Sequence, residues 1–312
     1  MRVQRDKGAE PPCLSFCKKF VYLQTQKRVE GFESLLNSLH RPHFSVEVST
    51  AKDDGKMAWH VFIPDSLLEE TDDPKIRTYK VGQIARSCAI FGVEHVWIYR
   101  AGGRDGGFIK TILEYAETPQ YLRKRLFPLM PELRYVGVIP PLRTPHHKLK
   151  GKPRVGEIRE GFAFRKGKRV YADIGLDELA LVEGDVEGRA TFRIVSVRPL
   201  RVIPAKPEEY WGYRVHLTRK SLAKTLKKAR LDLSIATSRR GHDVRDVKLP
   251  PLEGEVGFVF GSPRKGVMEL LGEEEYDFDL ILNTVPNQRT KTVRTEEALL
   301  ATLAVFNLIR RD

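Results

Sequence analysis

From Ala58 onward, short apolar runs alternate with longer amphipathic windows. "AWHVFIP" (58–64) is followed by "PKIRTYKVGQIARSCAIFG" (74–92), then "VEHVWIYR" (93–100), "GGFIKTILEYAETPQYLRKRLF" (106–127) and "RYVGVIPPL" (134–142). Strand-length runs separated by helical windows predict a parallel sheet with helices on its faces. The rhythm resumes late in "LSIATS", "GEVGFVFGS" and "FDLILNTV", each ending in a polar loop. Ligands of open parallel sheets sit beyond the carboxyl ends of the strands. The loops 237–241, 261–266 and 283–294 are therefore the candidate binding elements.

Between these halves the texture changes. From Arg143 to His216 short strands and turns follow one another ("GEIREGFAFRKGKRVYADIG", "GRATFRIVSVRP", "RVIPAK", "GYRVHLT") without a helical window. This pattern predicts a small antiparallel, OB-like barrel inserted into the α/β part. The α/β part is then 57–142 and 217–312, the insert 143–216, and 1–56 an N-terminal extension. Residues 143–169 carry ten Lys/Arg against Glu157 and Glu160, net +8. Phe162, Phe164 and Tyr171 interleave with these charges, either as stacking platforms for nucleic acid or as barrel core. Lys148, Lys150, Lys152, Arg165, Lys166 and Lys168 are the candidate RNA contacts. A helix over 217–230 adds Lys220, Lys224 and Lys227 on one arc, opposite Leu222, Leu226 and Ala229.

The formal charge of the 312-residue chain is +13, an excess that points to a polyanionic partner, RNA before DNA or membrane. Three cysteines cannot build a disulfide framework, and no apolar leader or membrane span is visible, so a cytoplasmic protein is expected. Scarce Asn and Gln beside abundant Lys, Arg and Glu point to a thermophilic source. The 1–56 extension reads as peripheral; a zinc site from Cys13, Cys17, His40 and His43 has spacing that departs from finger patterns, and no metal is expected. No phosphate-binding Gly-Lys-Ser/Thr loop, G-x-G-x-x-G or H-E-x-x-H is present, which removes the usual anchors of ATPases, dinucleotide enzymes and zinc hydrolases.

The turns that remain carry a resemblance. "RTYKVGQIARSCAIFGV", "TSRRG", "GFVFGSPRKG" and "NTVPNQRTKTVRTEEALLATLA" occur in order and resemble the SPOUT superfamily of RNA methyltransferases, in its archaeal and eukaryotic branch with an OB-like insert. The resemblance implies a C-terminal trefoil knot, S-adenosyl-L-methionine as cofactor, a homodimer, and structured rRNA or tRNA as substrate. By position, backbone groups of Thr237, Ser238, Gly261, Ser262, Val285 and Val293 would hold adenine and ribose. Asn283, Pro286, Thr292 and Thr295 would shape the pocket, with Gly266 in the second turn. Thr295 is also expected to cap the last helix, with Glu296 and Glu297 facing its positive end. Methyl transfer needs an aligned acceptor and removal of its proton; Arg86 and Arg239 are the candidates there. Arg104, within "GGRDGG", is a candidate phosphate contact. A uridine-type ring nitrogen is the preferred acceptor, with ribose 2′-oxygen open, and a non-catalytic RNA-binding assembly factor is the alternative.

Overall fold

The computed structural model describes residues 57–148 and 151–310; Cys13, Cys17, His40, His43 and Lys150 lie outside them. Strand β1 (Ala58–Pro64) is buried along almost its whole length, as a central parallel strand covered on both faces must be. Helix α1 (Pro74–Ile90) starts where Asp73 accepts from the amides of Lys75 and Ile76 at 2.8 and 2.9 Å, with Pro74 at its first position. Strand β2 (His95–Tyr99) and helix α2 (Gly106–Glu117) follow. The window to Phe127 breaks at Thr118–Pro119, because proline cannot continue a hydrogen-bonded helix, and resumes as α3 (Gln120–Leu126). "RYVGVIPPL" forms no strand. Its glycine and two prolines disfavour a strand; Val136–Val138 forms a single helical turn, after another at Pro131–Leu133, and the Ile139 side chain lies against Gly82 of α1.

Strands β3 (Ile158–Lys166), β4 (Arg169–Asp173), β5 (Ala180–Val182), β6 (Gly188–Val197) and β7 (Leu200–Pro204) close a barrel in the order β3-β4-β5-β7-β6. Only the β5–β7 pair is parallel, and the arrangement is consistent with an OB-like barrel. Ala163, Ala172, Ile174, Phe192, Ile194 and Val202 fill it. Phe162, Phe164 and Tyr171 stay outside that core, half-buried, with Arg125 of α3 over both phenylalanines. Strand alternation decides this: Ala163, Val170 and Ala172 take the inward positions.

"GYRVHLT", expected in the barrel, instead contributes β8 (Arg214–Leu217), which pairs parallel with β2 at the sheet edge. Helix α4 (Leu222–Ala229) starts five residues later than the expected helix start, after strand β8 has used Leu217. Then come β9 (Leu233–Asp243), β10 (Glu255–Val259), α5 (Val267–Leu271), β11 (Leu280–Asn283) and α6 (Thr295–Asn307). The sheet order is β11-β9-β10-β1-β2-β8, all neighbours parallel. Trp59, Val61 and Ile63 face α1, α2 and α6, while Phe62, Trp97 and Tyr99 face α4 and α5.

A buried polar joint ties the barrel to the α/β part. Arg189 of β6 reaches Glu117 at 2.7 Å and Glu160 at 2.8 Å, and donates to Thr118 Oγ1 at 3.2 Å. Trp211 Nε1 donates to Glu160 and His146 meets Glu117 at 3.0 Å. Paired charges of this kind fix an orientation more than they add stability.

Candidate active site

The three strand-end loops are bonded to one another. Thr237 Oγ1 donates to the carbonyl of Val259 at 2.9 Å, joining the middle of β9, where its pairing with β10 stops, to the end of β10. Arg239 Nη1 donates to Lys291 O at 2.8 Å, and Asn283 Nδ2 donates to Arg239 O at 3.2 Å, so loops 237–241 and 283–294 hold each other. Thr295 Oγ1 donates to Gly261 O at 3.0 Å and closes the third side.

The β9–β11 ladder explains why 237–241 is free for this. Ile281 pairs with Ala236, yet Leu282 pairs with His242, so the strand continues through "TSRRG" while five of its residues are passed over. That segment is part of a strand, not the turn expected, and the ladder omits its backbone groups. In the second loop Ser262 N donates to Lys265 O at 2.9 Å, and a side chain at Gly261 would come within 2.7 Å of that same oxygen. Glycine is required by the close approach. In the third, Asn283 Oδ1 accepts from Val285 N at 3.1 Å and Asn287 takes the left-handed conformation after Pro286. Val285, Pro286 and Val293 are half-buried, Thr292 is exposed, and Thr284 and Thr302 share a buried hydroxyl bond of 2.7 Å.

Helix α6 corrects one expectation. Its cap is Arg294, whose amide donates to Glu297 at 2.9 Å; Thr295 is the first helical residue and spends its hydroxyl on Gly261. Glu296 pairs with Lys80 at 4.0 Å. Arg86 is bonded to irregular chain ahead of the barrel. Its Nη1 donates to Pro141 O at 3.2 Å and Leu142 O at 2.6 Å, anchoring the chain just before the barrel. It makes no bond to the strand-end loops.

The basic residues divide. Lys152, Lys166 and Lys168 are exposed, Lys166 at the end of β3 and Lys168 in the turn that follows. Arg165 is held by Asp185 at 2.5 Å and Glu187 at 3.0 Å, and Lys148 by Glu157 at 4.0 Å. Arg104 is exposed on a loop pinned by Asp65, which accepts from Ala101 N and Gly103 N at 2.8 and 2.9 Å. Lys220, Lys224 and Lys227 are exposed beside α4. Arg100, Arg219 and Lys265, which sequence reasoning passed over, join Lys220 and Lys224 around one cleft at the strand ends. The signal for Arg100 was its place directly after β2; Arg219 was hidden because β8 was read as barrel.

A family described as "Putative RNA methyltransferase" matches residues 58–306, spanning both the barrel and these loops. The chain belongs to this SPOUT-type family of RNA methyltransferases. A Haloarcula marismortui protein without an assigned role is 35% identical over 282 residues, covering 81% of this chain and 99% of that one. The human "28S rRNA (uridine-N(3))-methyltransferase" is 32% identical over 295 residues, 79% of this chain and 77% of that one. Its Drosophila melanogaster namesake is 32% identical over 79% of this chain. Among the described residues of this methyltransferase no helix is long and apolar enough to cross a membrane.

Proposed function

We propose that this methyltransferase uses S-adenosylmethionine to methylate N3 of a uridine in structured ribosomal RNA. The mutual bonding of loops 237–241, 261–266 and 283–295 carries the reading. The loops suit the cofactor. The ladder passes over the backbone of Thr237–Gly241, which favours main-chain contacts to adenine and ribose, with Ser238, Gly261, Ser262 and Gly266 alongside. Half-buried Val285, Pro286 and Val293 offer apolar walls. Asn283, Thr292 and Thr295 would fix the loop that carries them. The relatives' printed names direct the acceptor to the uridine ring nitrogen.

When bound, the cofactor supplies an electrophilic methyl group. The chain's own task is to hold the uracil in line and to favour loss of its N3 proton. When that proton passes to solvent water, the negative charge left on N3 spreads to the ring carbonyl oxygens, where guanidinium donors stabilise it. Arg239 is the residue assigned to this role, since its bond to Lys291 O orients it before substrate arrives. Arg86, the other candidate, anchors the carbonyls of Pro141 and Leu142.

Three further features belong to this reading. Lys166 at the end of β3, Lys168 in the turn that follows, and the outward rings Phe164 and Tyr171 make the barrel an RNA-binding insert. Helix α6 returns from edge strand β11 to pack beside α1 while 284–294 is gripped from both sides, which supports a trefoil knot; a chain trace with 284–294 outside those loops contradicts it. Ile76, Tyr79 and Ile90 of α1 and Leu300 of α6 are exposed apolar side chains, the stripe expected of a homodimer interface. Light scattering that gives a monomer for the unsubstituted protein rules the dimer out.

The functional test is mass spectrometry of nucleosides from ribosomal RNA incubated with protein and S-adenosylmethionine. N3-methyluridine is expected, and Arg239→Ala should lower kcat roughly 100-fold. RNA bound without methyl incorporation would favour a non-catalytic binding factor.

A further inference from the structure

A cleft of about 560 Å³ opens where β2 and β8 end. Arg100, Arg219, Lys220, Lys224 and Lys265 line it. Among the described residues none of these five side chains has an ion-pair or hydrogen-bond partner. The one acid at the rim, Glu269, already accepts from the amide of Gly266 at 3.3 Å. Five uncompensated cations facing one volume repel each other and lower the energy of any anion that enters.

A second observation is independent of the charges. Ser221, also in the lining, occupies the N-cap of α4, yet its side chain makes no capping bond. Its Oγ is shut off from solvent and has no hydrogen-bond partner. The first helical bond runs from Thr225 N to Ser221 O, so the amides of residues 222–224 have no intrahelical acceptor. An unused hydroxyl and free first-turn amides at a helix start are the groups that bind a phosphate. The frame around them is rigid. Arg100 N donates to Lys220 O at 3.0 Å, and Asp65 holds the turn after Arg100.

Lys265 also belongs to the loop whose Gly261 carbonyl is bonded by Thr295, so the cleft adjoins the proposed methyl-donor loops. We infer that it binds a backbone phosphate of the substrate RNA next to the target nucleotide. This inference rests on the RNA methyltransferase reading and adds where the strand is gripped.

The test uses the full chain and a fluorescein-labelled uridine-containing RNA hairpin, read by anisotropy across a KCl series, with S-adenosylmethionine calorimetry alongside. Lys224→Gln with Lys265→Gln is expected to raise the RNA Kd roughly tenfold and to flatten the salt slope by about 1–2. Ser221→Asp separates binding from folding. Aspartate is a good helix cap, so the melting temperature should hold or rise while RNA affinity falls. Unchanged RNA affinity and slope in both variants overturn the inference, as does a loss confined to S-adenosylmethionine affinity. A wild-type protein that binds no RNA overturns the functional reading and this site with it; wild-type binding with indifferent variants overturns the site alone.

Discussion

The hydroxyl of Thr295 spans two loops with a single 3.0 Å bond to Gly261 O. Because Thr295 is buried, Thr295→Val leaves that carbonyl without its donor. The expected cost is about 1 kcal/mol in urea unfolding, together with a several-fold loss of S-adenosylmethionine affinity, while Thr295→Ser keeps both. Equal stability and affinity for the valine variant would contradict the tie. Sequence alone singled out Thr295 twice, as a pocket-shaping residue and as a helix cap, since a threonine before two glutamates has the pattern of a cap; only the cap is overturned. What decides between cap and tie is the position of Gly261, set by a distant strand. The partners of Arg86, the carbonyls of Pro141 and Leu142, were not legible for a related reason: they come from irregular chain with no readable pattern.

At the scale of elements, the histidines of the sheet set a pH response. His60 on β1, His95 and Trp97 on β2 and His216 on β8 form one cluster, with Trp97 Nε1 donating to His60 Nδ1 at 3.0 Å and His95 Nδ1 2.9 Å from His216 Nε2. Burial, reinforced by the neighbouring imidazoles, pushes His216 down to about 4 and His95 to about 2. Their folded pKa values lie below the usual 6.5, so the unfolded chain takes up protons first and stability falls as pH drops below 6.5. Glu117 acts with the same sign lower down. Burial raises its carboxyl, but Arg189 and His146 outweigh this and hold it at about 2. Its contribution is complete above 4.5 and lost below. The melting temperature is expected to fall between pH 7 and pH 5, with His216 alone accounting for on the order of 1 kcal/mol at pH 5. His216→Gln should make the decline shallower; an unchanged decline would refute this account. The strands bearing His60 and His95 were legible as apolar runs. β8 was not, because a four-residue run with both ends exposed at a sheet edge is too short to be told from a barrel strand.

Across the whole molecule, the alternating runs were enough to bring three segments together along a parallel sheet, because strand direction alone puts their carboxyl ends together, although 237–241 lies within β9 and is not the turn expected. The five passed-over residues of β9, the joint around Arg189 and the cleft between β2 and β8 were not readable, since each depends on register or on side chains far apart in sequence. The account rests on those three loops acting as one methyl-donor pocket. Hydrogen–deuterium exchange with and without S-adenosylmethionine measures this directly. The account predicts that amides in 237–241, 261–266 and 283–295 gain protection together while barrel strands 158–204 do not change. Protection of a single loop, or of the barrel instead, would contradict it.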